Sequence, residues 1–488
     1  MESPMADTRN EAVPHPSIAS RIGLVLGPLL LIATLVLPPP GDMSQAAWGC
    51  VGMALLMASW WSTEAIPIPV TSLIPLVLAP AVGIGSIKEV AASYANPIIY
   101  LFLGGFLLGI AMQTWNLHKR IALHVLKVVG SEPKRQIAGF MIATGFLSMW
   151  VSNTATSIMM LPIGISVLSL LEDSDPDELR RFATALLLGI AYSASIGGVA
   201  TLIGTPPNAL LAGYLADDRG IDLGFAQWML VGVPISVVMM ALTWWWLSRG
   251  GFSLKVGKGE SDNLIKDQLA EMGPMSAAER RVGLLFLAAA ALWILRPLLN
   301  DMGASWLSDT TIAIVAGMAL FLIPSGRRSG EALMVWEDAV KLPWGILLLF
   351  GGGLALAGAI SKSGLAEWIA NQLSILGALP VLAIIGGVVL VIIFLTEVTS
   401  NTATAAAFLP LLGALALSLD LPVMLITVPA AIAASCAFMM PVATPPNAIV
   451  FGTGHMKIQS MIRAGFALNL ISTVVVTLMA YGLILLLW

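Results

Sequence analysis

The sequence predicts an all-α polytopic membrane protein, with about eleven transmembrane helices and two re-entrant hairpins arranged in two inverted-topology repeats. Three observations carry that expectation. Of 488 residues, 58% are hydrophobic and 11% charged, with a mean hydropathy of +0.90, where a soluble domain carries roughly a quarter charged residues. Apolar runs such as 22–37 and 464–488 suit helices of about 20 residues and not the alternating strands of about 10 that build a barrel. Finally, the polar stretch Ser152-Asn153-Thr154-Ala155-Thr156 returns 248 residues later as Ser400-Asn401-Thr402-Ala403-Thr404, and each copy is followed at the same distance by a Leu-Pro pair, Leu161-Pro162 and Leu409-Pro410. Polar groups inside an apolar run are costly in lipid, so two copies in register imply one duplicated device with a task.

Taken in order, residues 1–21 are polar and read as a cytoplasmic tail. The apolar segment within 22–44 ends in Pro38-Pro39-Pro40 without a small-residue cleavage site, which predicts a retained first helix and no removed signal peptide. Hydropathy and breakers place further helices at about 45–62, 68–83 and 97–115, then a basic amphipathic piece over 118–130. The first polar tip splits 136–171 into two apolar arms. Sixteen helical residues rise about 24 Å, short of a hydrocarbon core of about 30 Å, so a hairpin that turns at midplane fits better than two crossings. The second tip divides 380–418 in the same way. Between and after them come helices at about 183–213, 227–248, 281–298, 309–324, 343–360, 422–453 and 461–487.

The helices at 183–213 and 422–453 are interrupted by Thr205-Pro206-Pro207-Asn208 and Thr444-Pro445-Pro446-Asn447. Consecutive prolines remove two backbone donors and push the preceding residue out of the α region, so each should be a broken helix with freed carbonyls. These copies lie 239 residues apart, nine fewer than the tips, and the shortfall is assigned to a longer exit from the first hairpin over 172–181.

Charge tests this layout. With a cytoplasmic N-terminus and re-entrant hairpins, 20 of the 24 Lys and Arg residues fall inside, and only Lys88, Arg219, Arg296 and Lys362 fall outside, as the positive-inside rule requires. Five crossings separate the hairpins, an odd number, so the repeats at 45–252 and 279–488 are inverted about a cytoplasmic connector at 253–278. Interrupted segments in matching places of inverted halves are the pattern of secondary transporters, with the site at midplane.

Net charge is −4, which argues against nucleic acid as a partner. Cys50 and Cys436 lie in apolar surroundings and read as reduced packing residues. The four histidines lie away from both tips and no hydrolase motif is present, which argues against an enzyme. The tips and breaks offer hydroxyls, amides and unwound backbone without a lysine or arginine. Hard oxygens of that kind suit sodium, and helix N-termini with bound cations can hold an anion. Glu397, whose repeat partner is Met149, is an intramembrane acid that orients the sodium loop of the second tip, takes a proton, or is a neutral or hydrogen-bonded structural residue. Glu64 reads as structural at a helix end, and Trp150 as core packing beside the first tip.

The doubled Ser-Asn-Thr and the run from Ala434 to Val450 resemble the divalent anion:sodium symporter family, from about residue 45 to the C-terminus. The resemblance implies a homodimer in which a transport domain, built from the hairpins and broken helices, moves like an elevator past a scaffold. It implies sodium ligands at Ser148, Ser152, Asn153 and Gly204 in one half and at Thr396, Thr399, Asn401 and Ala443 in the other. Substrate carboxylates would be held by Asn153, Thr154, Thr205 and Pro206 and by Asn401, Thr402, Thr444 and Pro445. The substrate implied is a C4-dicarboxylate imported with Na+. A sodium-independent exchanger and a sulfate or tricarboxylate carrier of the same fold stay open, because these differ in the pocket and not in the architecture.

Overall fold

A computed structural model describes residues 18–130, 132–171, 175–249, 260–327, 330–373 and 377–488. Among these residues every regular element is helical, apart from one isolated bridge between Pro324 and Ala332. Eight helices are long and apolar enough to cross a membrane. Of these, Ile18–Val36, Ala277–Asp301 and Ile458–Leu487 leave most of their apolar surface uncovered, whereas Pro176–Val199 is almost wholly enclosed. Apolar side chains facing outward at the rim and a packed centre are what lipid as solvent permits.

The two duplicated regions form helix–turn–helix hairpins. The first runs Pro133–Ser148 and Asn153–Ser169, the second Val381–Thr396 and Asn401–Ser418, with Pro162 and Pro410 at matching places in the trailing arms. The trailing arm of the second hairpin reaches 18 residues and is itself long enough for a span, so arm length separates a hairpin from a crossing only in the first half. Each hairpin is followed by a helix broken at its proline pair: Pro176–Val199 resumes as Pro206–Arg219, and Val423–Ala434 resumes as Pro445–Phe451. The first hairpin packs on Pro176–Val199, and the second on Val423–Ala434.

These lengths correct the placement of the nine missing residues. Positions 176–181 belong to the first turns of a 24-residue helix, and the matching helix has 12 residues. The second break, 435–444, is then longer than the first, 200–205. A second difference lies at 68–83, where one helix is expected and two short ones form, Ile68–Thr71 and Ile74–Ala81. Pro75 lacks the N–H that would bond to Thr71, and its ring crowds that carbonyl. The interruption is held by Ser72, whose hydroxyl donates to Ile68 O at 2.9 Å and accepts from Trp61 Nε1 at 3.2 Å.

Short helices at Ile87–Ala92, Trp336–Ala339 and Leu365–Leu373 are additional to the expected set. Leu365–Leu373 stands where the repeat offset matches it to Leu117–Val129. Glu64 ends the helix Gln45–Thr63 in a left-handed conformation and is exposed, as a helix-end residue should be. Cys50 and Cys436 are buried and free. The tail lies outside the described residues except for 18–21, which open the first helix, and so does 253–259 of the connector.

The rest of the connector contains the helix Glu260–Met272, packed on Leu117–Val129. Arg120 ties the two together: its guanidinium pairs with Glu279 at 2.8 Å and donates to Gly273 O at 2.9 Å, with both side chains under a tenth exposed. Removing one partner of a buried pair leaves the other charge uncompensated, a cost of about 3–5 kcal/mol, whereas an exposed pair contributes about 0–1 kcal/mol. Arg120→Met is therefore expected to lower the thermal midpoint of the purified protein by several degrees, and Arg135→Met, which breaks the exposed pair with Glu132, to leave it nearly unchanged.

Candidate functional site

The two tips are built alike. In the first hairpin Ser148 ends the leading arm, Met149–Ser152 turn, and Ser152 caps the trailing arm by accepting from Ala155 N at 3.3 Å. The Asn153 side chain folds back so that one amide atom lies 2.6 Å from Ser148 Oγ, 3.1 Å from Ala194 O and 3.3 Å from Gly204 O. Three oxygens thus converge on the Asn153 amide. An amide nitrogen turned inward has two N–H groups to share among them, and an amide oxygen there, accepting from Ser148 Oγ at 2.6 Å, would complete a set of four oxygens suited to a cation. The second tip repeats the motif: Thr396 Oγ1 donates to Asn401 Oδ1 at 2.7 Å and lies 3.0 Å from Ala434 O. With the Asn153 oxygen turned inward, the donor set in both halves is neutral and all-oxygen, which fits a hard monovalent cation.

Backbone crowding shapes the first cage. A Cβ on Gly204 would lie 2.4 Å from Gly198 O, and one on Gly198 would lie 2.8 Å from the Asn153 amide. Glycine at both positions lets the break fold back on itself and admits Asn153. The Thr399 hydroxyl donates to Leu395 O at 2.9 Å and lies 2.6 Å from Thr404 Oγ1, so a second lone pair and the carbonyl are what it could offer a ligand. Ala443 is buried in the second break and can offer only its carbonyl.

The breaks bring the halves together. Thr205 Oγ1 lies 3.3 Å from Ser435 Oγ, so the first break touches the second. Pro206–Arg219 packs on the trailing arm of the second hairpin, and Pro445–Phe451 packs on that of the first. Thr205 and Thr444 stand at the N-caps of these two helices, with Pro206 and Pro445 in their first turns. Thr444 Oγ1 accepts from Asn447 N at 3.3 Å. Among the described residues, Thr154 and Thr402 give their hydroxyls to no protein partner. Four helix N-termini, at 153, 206, 401 and 445, therefore open toward the region of the tips and breaks, and each end carries about half a positive charge.

Other residues hold the unwound backbone. Asn208 Nδ2 is within 2.8–3.2 Å of the carbonyls of Gly198, Val199 and Thr201, and Asn447 Nδ2 is 3.1 Å from those of Ala437 and Met440. Both were visible as the last residue of the doubled Thr-Pro-Pro-Asn, a signal that the implied ligand set does not use. Each tip is also tied to its own break at the same repeat position. In the first half Thr201 donates its hydroxyl to Met149 O. In the second the Glu397 carboxylate accepts from Phe438 N at 2.7 Å, Met439 N at 2.8 Å, Met440 N at 2.9 Å and Asn469 Nδ2 at 2.7 Å. Every partner is a donor, so Glu397, buried at 3% exposed, acts solely as an acceptor for the longer break. Trp150 stacks on Phe225 at 5.9 Å and meets Phe286 edge-on at 5.0 Å, within an aromatic cluster beside the tip.

A family described as the sodium:sulfate symporter transmembrane region matches residues 19–488. The chain belongs to this family. It is the divalent anion:sodium symporter family that the doubled Ser-Asn-Thr resembles, and its members are transporters and not enzymes. A sodium-dependent dicarboxylate transporter, SdcS of Staphylococcus saprophyticus, is 45% identical over 478 residues, spanning 96% of this chain and 92% of that one. SdcS of Staphylococcus aureus strain USA300 is 44% identical over 476 residues, 95% of this chain and 91% of its own. Among solved structures, Neisseria gonorrhoeae MtrF matches with a TM-score of 0.59 at 13% identity, covering 96% of this chain and 95% of that one, and the Alcanivorax borkumensis YdaH transporter with 0.56 at 16%, covering 96% and 99%. Both show likeness of fold.

Deleting the Glu397 carboxylate leaves three backbone donors without an acceptor, that of Phe438 buried and those of Met439 and Met440 half-buried, where a buried one costs about 1–3 kcal/mol. Glu397→Ala is expected to lower the thermal midpoint markedly more than Met149→Ala at the matching position, where the acceptor is backbone and is retained; equal shifts would show that the carboxylate does not hold the break.

Proposed function

We propose that the chain is a secondary active transporter that imports C4-dicarboxylates such as succinate, malate or fumarate together with sodium. The observation that carries this reading is the repeated oxygen cluster at the tips, Ser148 with Asn153 and Thr396 with Asn401, in a chain 45% identical to a sodium-dependent dicarboxylate transporter. Sodium would be held by Ser148, Ser152, Asn153 and Gly204 at one tip, and by Thr396, Asn401 and the carbonyls of Thr399 and Ala443 at the other. The carboxylates would meet Asn153, Thr154 and Thr205 from one half and Asn401, Thr402 and Thr444 from the other, with Pro206 and Pro445 lining the contact.

Sodium would bind first, fix the tips and supply positive charge that the side chains lack, and the dianion would follow. Two sodium ions neutralise it; each further ion adds about 2.3 kcal/mol per 100 mV of membrane potential. Both hairpins are read as re-entrant, from opposite sides of an inner membrane, with the N-terminus cytoplasmic. The inverted repeats span 45–252 and 279–488. The hairpins and broken helices pack on one another across the halves, which supports their moving as one body, elevator-fashion, past a scaffold in a lipid-embedded homodimer.

In proteoliposomes, uptake of labelled succinate is expected to vanish when sodium is replaced by potassium or choline. Counterflow that persists undiminished without sodium would favour an exchanger. Asn153→Ala and Asn401→Ala should each reduce sodium-driven uptake at least a hundredfold while the protein still elutes as a monodisperse peak. Near-normal uptake by either would make the tips packing devices.

A further inference from the structure

Away from the tips, three helix ends enclose a groove of about 480 Å³: the start of Pro176–Val199, the end of Phe225–Ser248 and the start of Ile458–Leu487. Each of these helices is long and apolar enough to cross a membrane, so the groove lies where the apolar spans give way to polar surroundings. Among the described residues, Arg180, Arg181, Arg249 and Arg463 line it, and no acidic side chain does. Arg180 and Arg181 share their charge with Asp177 and Glu178 in their own first turn, at 3.5 and 3.3 Å. Among the described residues, Arg249 and Arg463 have no carboxylate partner. The Arg249 guanidinium instead rests 3.1 Å over the Trp246 ring, which holds it at the rim. Cations that line one groove without carboxylate partners, as Arg249 and Arg463 do, repel one another unless an anion sits between them.

The floor of the groove is of a different character. Ala185, Leu188, Leu247 and Ala464 lie beneath the arginines, and an apolar track continues from there along the last helix. Phe466, Leu470, Val474 and Leu478 follow Arg463 on one face, at spacings of three and then four, and each is between 43% and 57% exposed. A free phosphate would satisfy the guanidinium groups and leave this track uncovered. A phospholipid matches both parts.

We propose that this groove binds the phosphate of an anionic phospholipid of the cytoplasmic leaflet. Arg249 and Arg463 hold the headgroup by charge-assisted hydrogen bonds, and an acyl chain lies along Phe466, Leu470, Val474 and Leu478. A basic pocket between helix ends on the side that carries most of the lysines and arginines is the setting in which such headgroups are recognised. The site is independent of the transported solute and of the tips.

Native mass spectrometry of the full chain, titrated with dioleoyl phosphatidylglycerol, dioleoyl phosphatidylcholine or inorganic phosphate, tests this. The anionic lipid should be retained in preference to the zwitterionic one, and inorganic phosphate in large excess should not displace it. Arg249→Gln with Arg463→Gln should weaken phosphatidylglycerol retention about thirtyfold, at about 1 kcal/mol per basic group. Arg249→Lys with Arg463→Lys should keep most of it. Leu470→Asn with Val474→Asn should weaken it at unchanged headgroup charge, which keeps the proposal testable if the glutamine pair fails to fold. Equal retention of the two lipids, displacement by inorganic phosphate, or retention unaffected by every variant that folds would overturn the proposal.

Discussion

Unwound backbone in an apolar interior must find partners inside the protein, and this constraint organises the molecule. Two proline pairs each stop a helix where water is scarce, and the amides and carbonyls released there would cost several kcal/mol apiece if left alone. Asn208 and Asn447 reach back from the resumed helices to gather the carbonyls. In the second half the Glu397 carboxylate gathers the amides of 438–440, and in the first the Thr201 hydroxyl ties the break to the Met149 carbonyl. The breaks are therefore rigid loops of defined shape, and the tips pack against them with Ser148 and Thr396 already aimed at Asn153 and Asn401.

The two halves solve one problem with unequal means. The first break is short, and close approach of Gly198 and Gly204 closes it. The second is four residues longer and exposes a row of N–H groups at 438–440. One carboxylate is the compact acceptor for such a row, since its two oxygens offer about four lone-pair sites. This accounts for an acid at 397 opposite a methionine at 149. It also recruits the last helix through Asn469, while in the first half Trp228 and Ser236 of Phe225–Ser248 donate to the carbonyls of Val199 and Ile196 beside the break.

Much of this was legible in the sequence, and the parts that were not have physical reasons. Composition and run length give the class, and exact repetition marks the tips and breaks that the structure brings together, because duplication is a pattern that needs no structure to see. The Pro75 interruption was also available, since proline acts locally. What could not be read was any property set by tertiary partners. The role of Glu397 depends on three amides some forty positions away. The nine-residue difference between the repeats falls partly in helix length, which hydropathy resolves poorly when the flanking turns are charged, as 177–181 are. The commitment of Thr399 to Thr404 depends on the rotamer chosen within the tip.

The absence of lysine and arginine at the tips follows from the same economy. A fixed cation would hold an anion in every state and oppose its release, whereas helix N-termini carry partial charges too weak to retain a dianion alone. On the proposed reading, occupancy of such a site would depend on mobile cations, and Asn153 and Asn401 offer a route for that dependence. An amide has one oxygen and one nitrogen. When the oxygen turns toward Ser148 and Gly204, or toward Thr396, the N–H groups turn outward as donors for a carboxylate. When the nitrogen turns inward instead, the outward face presents an acceptor and disfavours the anion. On that reading, cation and anion would be coupled through the orientation of two side chains, with no need for contact between the ions themselves.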